Sequence, residues 1–242
     1  MKRSLLCALL AAGLAACGDT RYVPYGAGGA DADGDLVSRT VAYELDPAYS
    51  VLVPNCVIVA PAEIDNEEDR DHERAVETAV ARSLAAKVTR VIGPDERRIA
   101  ARPLAIDPSK PRDLADLGEA VSCGAVAYVR LSSADRDFLL VWSRVQVGLE
   151  LRIERLRDGR VLFRGRHVAD RSAGGLPLSP LSALAEGFRS SRFAADGEDV
   201  MASVIDDAVR RITALLPDAK QYRRRDAPKP YLLPAVDMGV IW

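Results

Sequence analysis

Val145-Gln146-Val147-Gly148-Leu149-Glu150-Leu151-Arg152-Ile153-Glu154 sets apolar residues at every second position against polar or small ones. Side chains along an extended strand alternate between its two faces, so this run is a strand with one buried and one wet face. The chain then turns at Arg157-Asp158-Gly159 and returns through Val161-Leu162-Phe163 to about Val168. A three-residue loop with Gly159 left-handed sets Ile153 opposite Phe163 and keeps both on the core face. A two-residue loop would set Ile153 opposite Arg164, and that register is rejected. Phe138 to Trp142 is expected to begin this strand or to form a short one of its own.

Upstream the pattern differs. Val53-Pro54-Asn55-Cys56-Val57-Ile58-Val59-Ala60-Pro61 is a short β-rich run closed by proline, the signature of a buried strand. Asp65 and Asn66 offer helix-capping side chains, and Glu67, Glu68 and Asp69 place negative charge at the first turn. Ala75, Val76, Ala79, Val80, Leu84 and Val88 then trace one apolar stripe of a helix reaching about Val88, which must cover a sheet. Arg90-Val91-Ile92 is a second strand, followed by a partial helix and a proline-rich loop through Lys110. Pro111 opens a second helix, with Gly124 as its stop, and Ala125 to Leu131 is a third strand. The fold expected is α/β (α+β): β-α-β-α-β, a long β-hairpin and C-terminal helices, in one mixed sheet covered by helices. Ser179-Pro180 should start a short helix to about Ser190, and a last helix should span about Glu198 to Leu216, burying Met201, Val204, Ile205, Ala208, Ile212 and Leu215.

The ends of the chain are of another kind. Lys2 and Arg3, the apolar run Ser4 to Ala12 and the small-residue exit at Gly13-Leu14-Ala15-Ala16-Cys17 describe a secretory leader. Leu14-Ala15-Ala16-Cys17 resembles the bacterial lipobox, which implies cleavage before Cys17 and acylation, palmitate included, of its thiol and new amino group. Two or more chains anchor firmly where one holds marginally. Gly18 follows, with Asp19 second, which favours the outer membrane over retention in the inner one. Residues 1–16 are therefore read as signal peptide, 17–49 as lipidated cysteine and Gly/Ala/Asp-rich tether, 50–216 as a periplasmic α/β domain, and 217–242 as a tail. The tail carries Lys220, Arg223, Arg224, Arg225 and Lys229, then Tyr231-Leu232-Leu233 and Trp242. A short strand near Val41 to Leu45 would interrupt the tether.

At 48% hydrophobic and 28% charged residues the chain is globular in composition. Loss of Lys2 and Arg3 takes the formal charge from −2 to −4, so no basic surface for nucleic acid is indicated. Of four cysteines, Cys7 leaves with the leader and Cys17 is the anchor. Cys56 and Cys123 either pair, if their strands are neighbours in an oxidising compartment, or stay as two buried thiols.

The succession of lipobox, tether, β-α-β-α-β, hairpin and helices resembles the periplasmic α/β lipoprotein domain of the curli-secretion lipoprotein, the peptidoglycan-synthase activator lipoproteins and small neisserial-type lipoproteins. The amino-terminal domain of the Tol translocation protein shares that fold. The resemblance rests on Cys56-Val57-Ile58-Val59-Ala60-Pro61, on Cys123-Gly124-Ala125-Val126 and on Gly159 to Phe163, and covers roughly residues 50–216. It implies a non-enzymatic adaptor or assembly factor in envelope biogenesis or secretion, facing the periplasm from the outer membrane, with envelope proteins as partners and self-assembly as an option. The sheet edge, the Gly174 to Phe193 region and the tail are the expected partner surfaces. The chain shows no pair of amphipathic hairpins of the kind that would build a barrel, so pore formation is not implied. An alternative is the auxiliary lipoprotein of a transport system for lipid or other apolar cargo, which predicts a groove lined by apolar side chains.

Enzymatic motifs are missing from the sequence. His72 and His167 with Cys56 and Cys123 lack zinc-ligand spacing, and no Gly-x-Ser-x-Gly elbow occurs. Gly174-Gly175 has no following lysine to make a phosphate loop. The acidic Glu67 to Asp71 run reads as solvated helix-start charge. No catalytic residue, cofactor or metal is expected.

Overall fold

The structure, a computed structural model, describes residues 20–26, 40–139, 142–174, 196–219 and 221. The hairpin register expected from the alternation is the one observed: Ile153 pairs with Phe163, and Gly159 sits at φ +67°. The hairpin is part of a mixed, eight-stranded sheet. Its strands are β1 (Arg21–Pro24), β2 (Thr40–Leu45), β3 (Cys56–Val59), β4 (Glu63–Ile64), β5 (Arg90–Ile92), β6 (Ala125–Leu139), β7 (Trp142–Arg155) and β8 (Val161–Gly174). Their order across the sheet is β1-β2-β8-β7-β6-β3-β5, with β4 beside β6. β5, β3 and β6 are parallel, whereas β6, β7, β8 and β2 pair antiparallel.

Four α-helices are described: α1 (Glu73–Ala85), α2 (Pro94–Ala101), α3 (Pro111–Ala120) and α4 (Gly197–Thr213). α1 and α4 cover one sheet face, burying Val76, Val80, Leu84, Met201, Val204, Ile205 and Ile212 against Val57, Val59, Val129, Leu151, Ile153 and Phe163. α2 and α3 cover the other face only where the strands are parallel, packing Ala101, Leu114 and Leu117 on Ile58, Ile92 and Val126. Losing one such side chain, Phe163→Ala for instance, typically costs about 3–5 kcal/mol.

The structure departs from the sequence reading at several boundaries. β2 is the short strand expected near Val41 to Leu45, but within the 17–49 segment read as tether β1 is a further strand, β2 pairs with β8, β1 pairs with β2, and Val41, Ala42 and Tyr49 are buried. The reason is that β8 offers an edge, and strands this short give little periodicity of their own. The helix read from Asn66 onward starts instead as a 3-10 turn, Glu67–His72, and becomes α-helical at Glu73. Asn66 makes no backbone cap; its Nδ2 donates to Asp69 Oδ2 at 3.3 Å. α3 ends at Ala120 and the chain turns out of it at Ser122, which takes φ +54°, not at Gly124; the Cys123 amide then bonds back to the Gly118 carbonyl at 2.7 Å. β8 runs past Val168 to Gly174, and Phe138 and Leu139 end β6 while Trp142 begins β7.

A register shift between Leu131 and Ser133 interrupts the β6–β7 ladder, beyond which Val145, Val147 and Ala169 stay in the core. Gly148 faces that shift, and a Cβ there would collide with Ser132 Oγ. Beyond the bulge β6, β7 and β8 continue as a three-stranded extension. At the other terminus Ala219 is buried and its amide donates to the Lys87 carbonyl at 2.8 Å, so the first residues of the segment read as tail still pack on the domain.

Candidate interaction surface

The open face of the sheet is built by the same alternation that makes the core. With Leu149, Leu151 and Ile153 turned inward, Glu150, Arg152 and Glu154 stand on the opposite side of β7. The register adds Tyr128 and Arg130 from β6, facing Arg152 and Glu150, and Arg164 and Arg166 from β8, facing Arg152 and Glu150 from the other side. β2 contributes Glu44 opposite Arg164. Tyr25, in the turn after β1, laps over this face and donates its hydroxyl to Glu150 Oε1 at 2.9 Å.

These groups form a connected layer. The Arg152 guanidinium lies 5.1 Å from the centre of the Tyr128 ring, and that of Arg164 lies 5.0 Å from Tyr25. Arg152 pairs with Glu154 at 3.0 Å, Arg130 with Asp65 at 2.8 Å, and Arg164 approaches Glu150 at 3.9 Å. Burial, reinforced by Glu150, raises the Tyr25 phenol above its ordinary value; burial and then Glu154 do the same at Tyr128. Both phenols thus remain hydroxyl donors at neutral pH. A pocket of about 100 Å³ opens between Glu63, Tyr128, Arg130, Glu150 and Arg152. Partly solvated ion pairs of this kind contribute about 1 kcal/mol or less each, so breaking one costs the fold little.

A second polar centre serves the fold. Glu77 on α1 accepts from Arg97 Nη2 at 2.9 Å and from the Ala62 amide at 3.0 Å, while Arg97 Nη1 donates to the Val59 carbonyl. Both side chains are nearly inaccessible, at 4% and 9%. Desolvation raises the Glu77 carboxyl above its usual range, opposed chiefly by Arg97. The pair floors a cavity of about 550 Å³ whose rim arginines Arg74 and Arg98 are both engaged by Asp95.

Of the residues singled out in the sequence, Cys56 and Cys123 are joined in a disulfide, their Cα atoms 5.0 Å apart at the starts of neighbouring parallel strands. Their sulfurs are therefore engaged with one another and not with the histidines. His72 ends a 3-10 turn, and His167 is buried on β8, its Nδ1 2.8 Å from the Thr40 carbonyl. Among the described residues no set of three or more His, Cys, Asp and Glu side chains is grouped to hold a metal ion, and no helix is long and apolar enough to cross a membrane. The sheet edges expected as partner surfaces are β1 and β5. Cys17, the stretch after Gly174 up to Phe193, and Arg223 to Arg225 lie outside the described residues. A groove of about 600 Å³ between α1 and α4 is lined by Ala79, Ala86 and Ala214 together with charged Arg82, Lys87, Arg171, Asp206 and Arg210. The open face itself was half visible in the sequence, as the wet positions of Val145 to Glu154. That Tyr25, Tyr128 and Arg164 join it depends on strand pairing.

No protein-family model matches the sequence, and no curated protein matches it. Among solved structures the chain is similar to the PelC dodecamer from Paraburkholderia phytofirmans, at TM-score 0.41 and 15% identity, over 72% of this chain and 96% of that one. It is similar to lipoprotein GNA1162 from Neisseria meningitidis at 0.40 and 15%, over 59% and 99% of the two chains. The LpoB C-terminal domain from Salmonella enterica follows at 0.33 and 12%, over 47% and 81%.

Proposed function

We propose that this chain is a periplasmic lipoprotein, acylated on Cys17 after loss of residues 1–16 and held at the inner surface of the outer membrane, which works as a non-enzymatic adaptor in envelope biogenesis or secretion. The lipobox-like Leu14-Ala15-Ala16-Cys17 supports the place. The open Arg/Tyr/Glu face of β6, β7 and β8 carries the role. Tyrosine and arginine are among the residues that dominate binding energy at protein interfaces, and here they lie side by side on a sheet. The disulfide between Cys56 and Cys123 agrees with a compartment outside the cytoplasm.

The test is photocrosslinking in intact cells with full-length protein carrying a benzophenone residue at position 152 on the open face, or at position 82 on α1 as a control. A discrete envelope-protein adduct from position 152 and none from 82 is expected. Adducts from 82 alone would move the partner surface to the helical side. Metabolic labelling with an alkynyl palmitate should mark the wild type and not Cys17→Ser; an unlabelled wild type would remove the anchor.

A further inference from the structure

β3 and β5 run side by side and parallel, but the chain leaves them in opposite directions. From the end of β3 it passes to α1 on one face of the sheet, and from the end of β5 to α2 on the other. Where neighbouring parallel strands diverge in this way a crevice opens beyond their carboxyl ends, and in open α/β sheets that crevice is where ligands bind. The cavity of about 550 Å³ above Glu77 and Arg97 is this crevice: Pro61 follows β3, Pro94 follows β5, and both line it. Its volume is that of a small-ligand pocket, far more than one or two structural waters fill at about 30 Å³ each.

The two sides of the crevice carry opposite charge. Asp71, in the turn before α1, and Glu73, the first residue of α1, line one side; Arg98 of α2 and Arg102, just after it, line the other. The arginines of the α1 side are engaged elsewhere, Arg70 with Glu67 at 2.7 Å and Arg74 across the mouth with both oxygens of Asp95 at 2.9 Å. Asp107 accepts from Ser109 and pairs with Lys110 at 3.3 Å. Among the described residues no hydrogen bond or ion pair holds the side chains of Asp71, Glu73 and Arg102, so three charges face the cavity unengaged. Asp95 shows what the mouth accepts. Its carboxylate is held by Arg74 and, at 3.1 Å, by Arg98, and all three side chains are more than half exposed, so a second carboxylate can exchange with it at small cost. We propose that this crevice binds a small dipolar molecule, an amino acid or short peptide, with its carboxylate on Arg98 and Arg102, its ammonium on Asp71 and Glu73, and its apolar part against Ile106 and Pro108. Arg97 and Glu77 form the floor and hold the two walls together. The site shares no residue with the open face, and the inference depends neither on the partner role of that face nor on acylation.

The test is thermal unfolding of the purified full-length protein with pools of free amino acids and of Ala-X dipeptides at millimolar concentration, followed by calorimetric titration of whichever member acts. A pool should raise the melting temperature, because a ligand that binds only the folded state stabilises it. The N-acetylated and the C-terminally amidated forms of the active compound should each bind roughly ten-fold more weakly or worse, since each loses one charge-assisted contact. Arg102→Glu should weaken binding by a similar factor while melting, without ligand, at the wild-type temperature. Asp95→Asn removes the competing carboxylate and should tighten binding. Inorganic phosphate that binds as well as the active compound would reduce the site to an oxyanion site and overturn the dipolar ligand. No response to either pool, or equal affinity in the wild type, Arg102→Glu and Asp95→Asn, would overturn the site itself.

Discussion

β3 and β7 lie two strands apart in one sheet and are built to opposite rules. Every residue of β3, Cys56–Val59, is buried, because α1 covers one face and α2 and α3 the other. β7 buries alternate residues and leaves Glu150, Arg152 and Glu154 partly in water. A parallel strand needs a crossover on each side, and the crossovers become its cover; antiparallel strands joined by tight turns bring no cover with them. The parallel part of the molecule holds the Glu77–Arg97 pair out of water and carries the disulfide. The open face of the antiparallel part leaves its pairs half in water, as with Arg164 and Glu150 at 3.9 Å.

If that contrast is right, the largest stability effect comes from Arg97→Ala. It leaves the Glu77 carboxylate buried with the Ala62 amide, at a cost of about 3–5 kcal/mol in urea unfolding. Replacing Cys56 and Cys123 together by serine opens a loop with sequence separation 67 and should cost about 2–4 kcal/mol; dithiothreitol should reproduce the loss in the wild type and change nothing in the double variant.

The buried His167 sharpens the comparison within the antiparallel part. Burial holds its imidazole below the usual value of 6.5, with Arg211 acting the same way and the Thr40 carbonyl and Asp207 opposing. The unfolded chain then takes up the proton first as pH falls. Stability should decline below about pH 6.5, by at most about 1.4 kcal/mol per pH unit, until the folded imidazole also protonates. His167→Gln should flatten that part of the pH profile.

The smallest effect on folding is expected from Arg152→Ala with Arg164→Ala, at about 1 kcal/mol or less for each. Arg164→Ala, introduced into the protein that carries the benzophenone at position 152, should abolish the crosslinked adduct. A loss of stability as large as that of Arg97→Ala would break the contrast and make the open face part of the fold.

How much could be read without coordinates depended on pattern length. Val145 to Glu154 was long enough for its period to fix the strand, its inward face and, with Gly159, the hairpin register. The stripe from Val76 to Val88 and the run Met201 to Ile212 likewise placed α1 and α4. Arg21–Pro24 was too short to show a period, and Thr40–Leu45 was read only as a brief interruption of the tether, because a short strand is recruited by a neighbour's free hydrogen-bonding edge more than by its own residues. Nothing along the chain sets Glu77 and Arg97 apart from other charges, and only the meeting of α1, α2 and the end of β3 makes them a buried pair.

The sequence by itself determined the lipobox-like leader, the β-α-β-α-β order and the two-sided character of the hairpin, because these follow from local composition and from periods of 2 and 3.6 residues. Tertiary structure decided which strands are neighbours. It brought Cys56 to Cys123 and placed Tyr25 over Arg164, since pairings between distant residues are chosen by sheet order and leave no periodic trace along the chain.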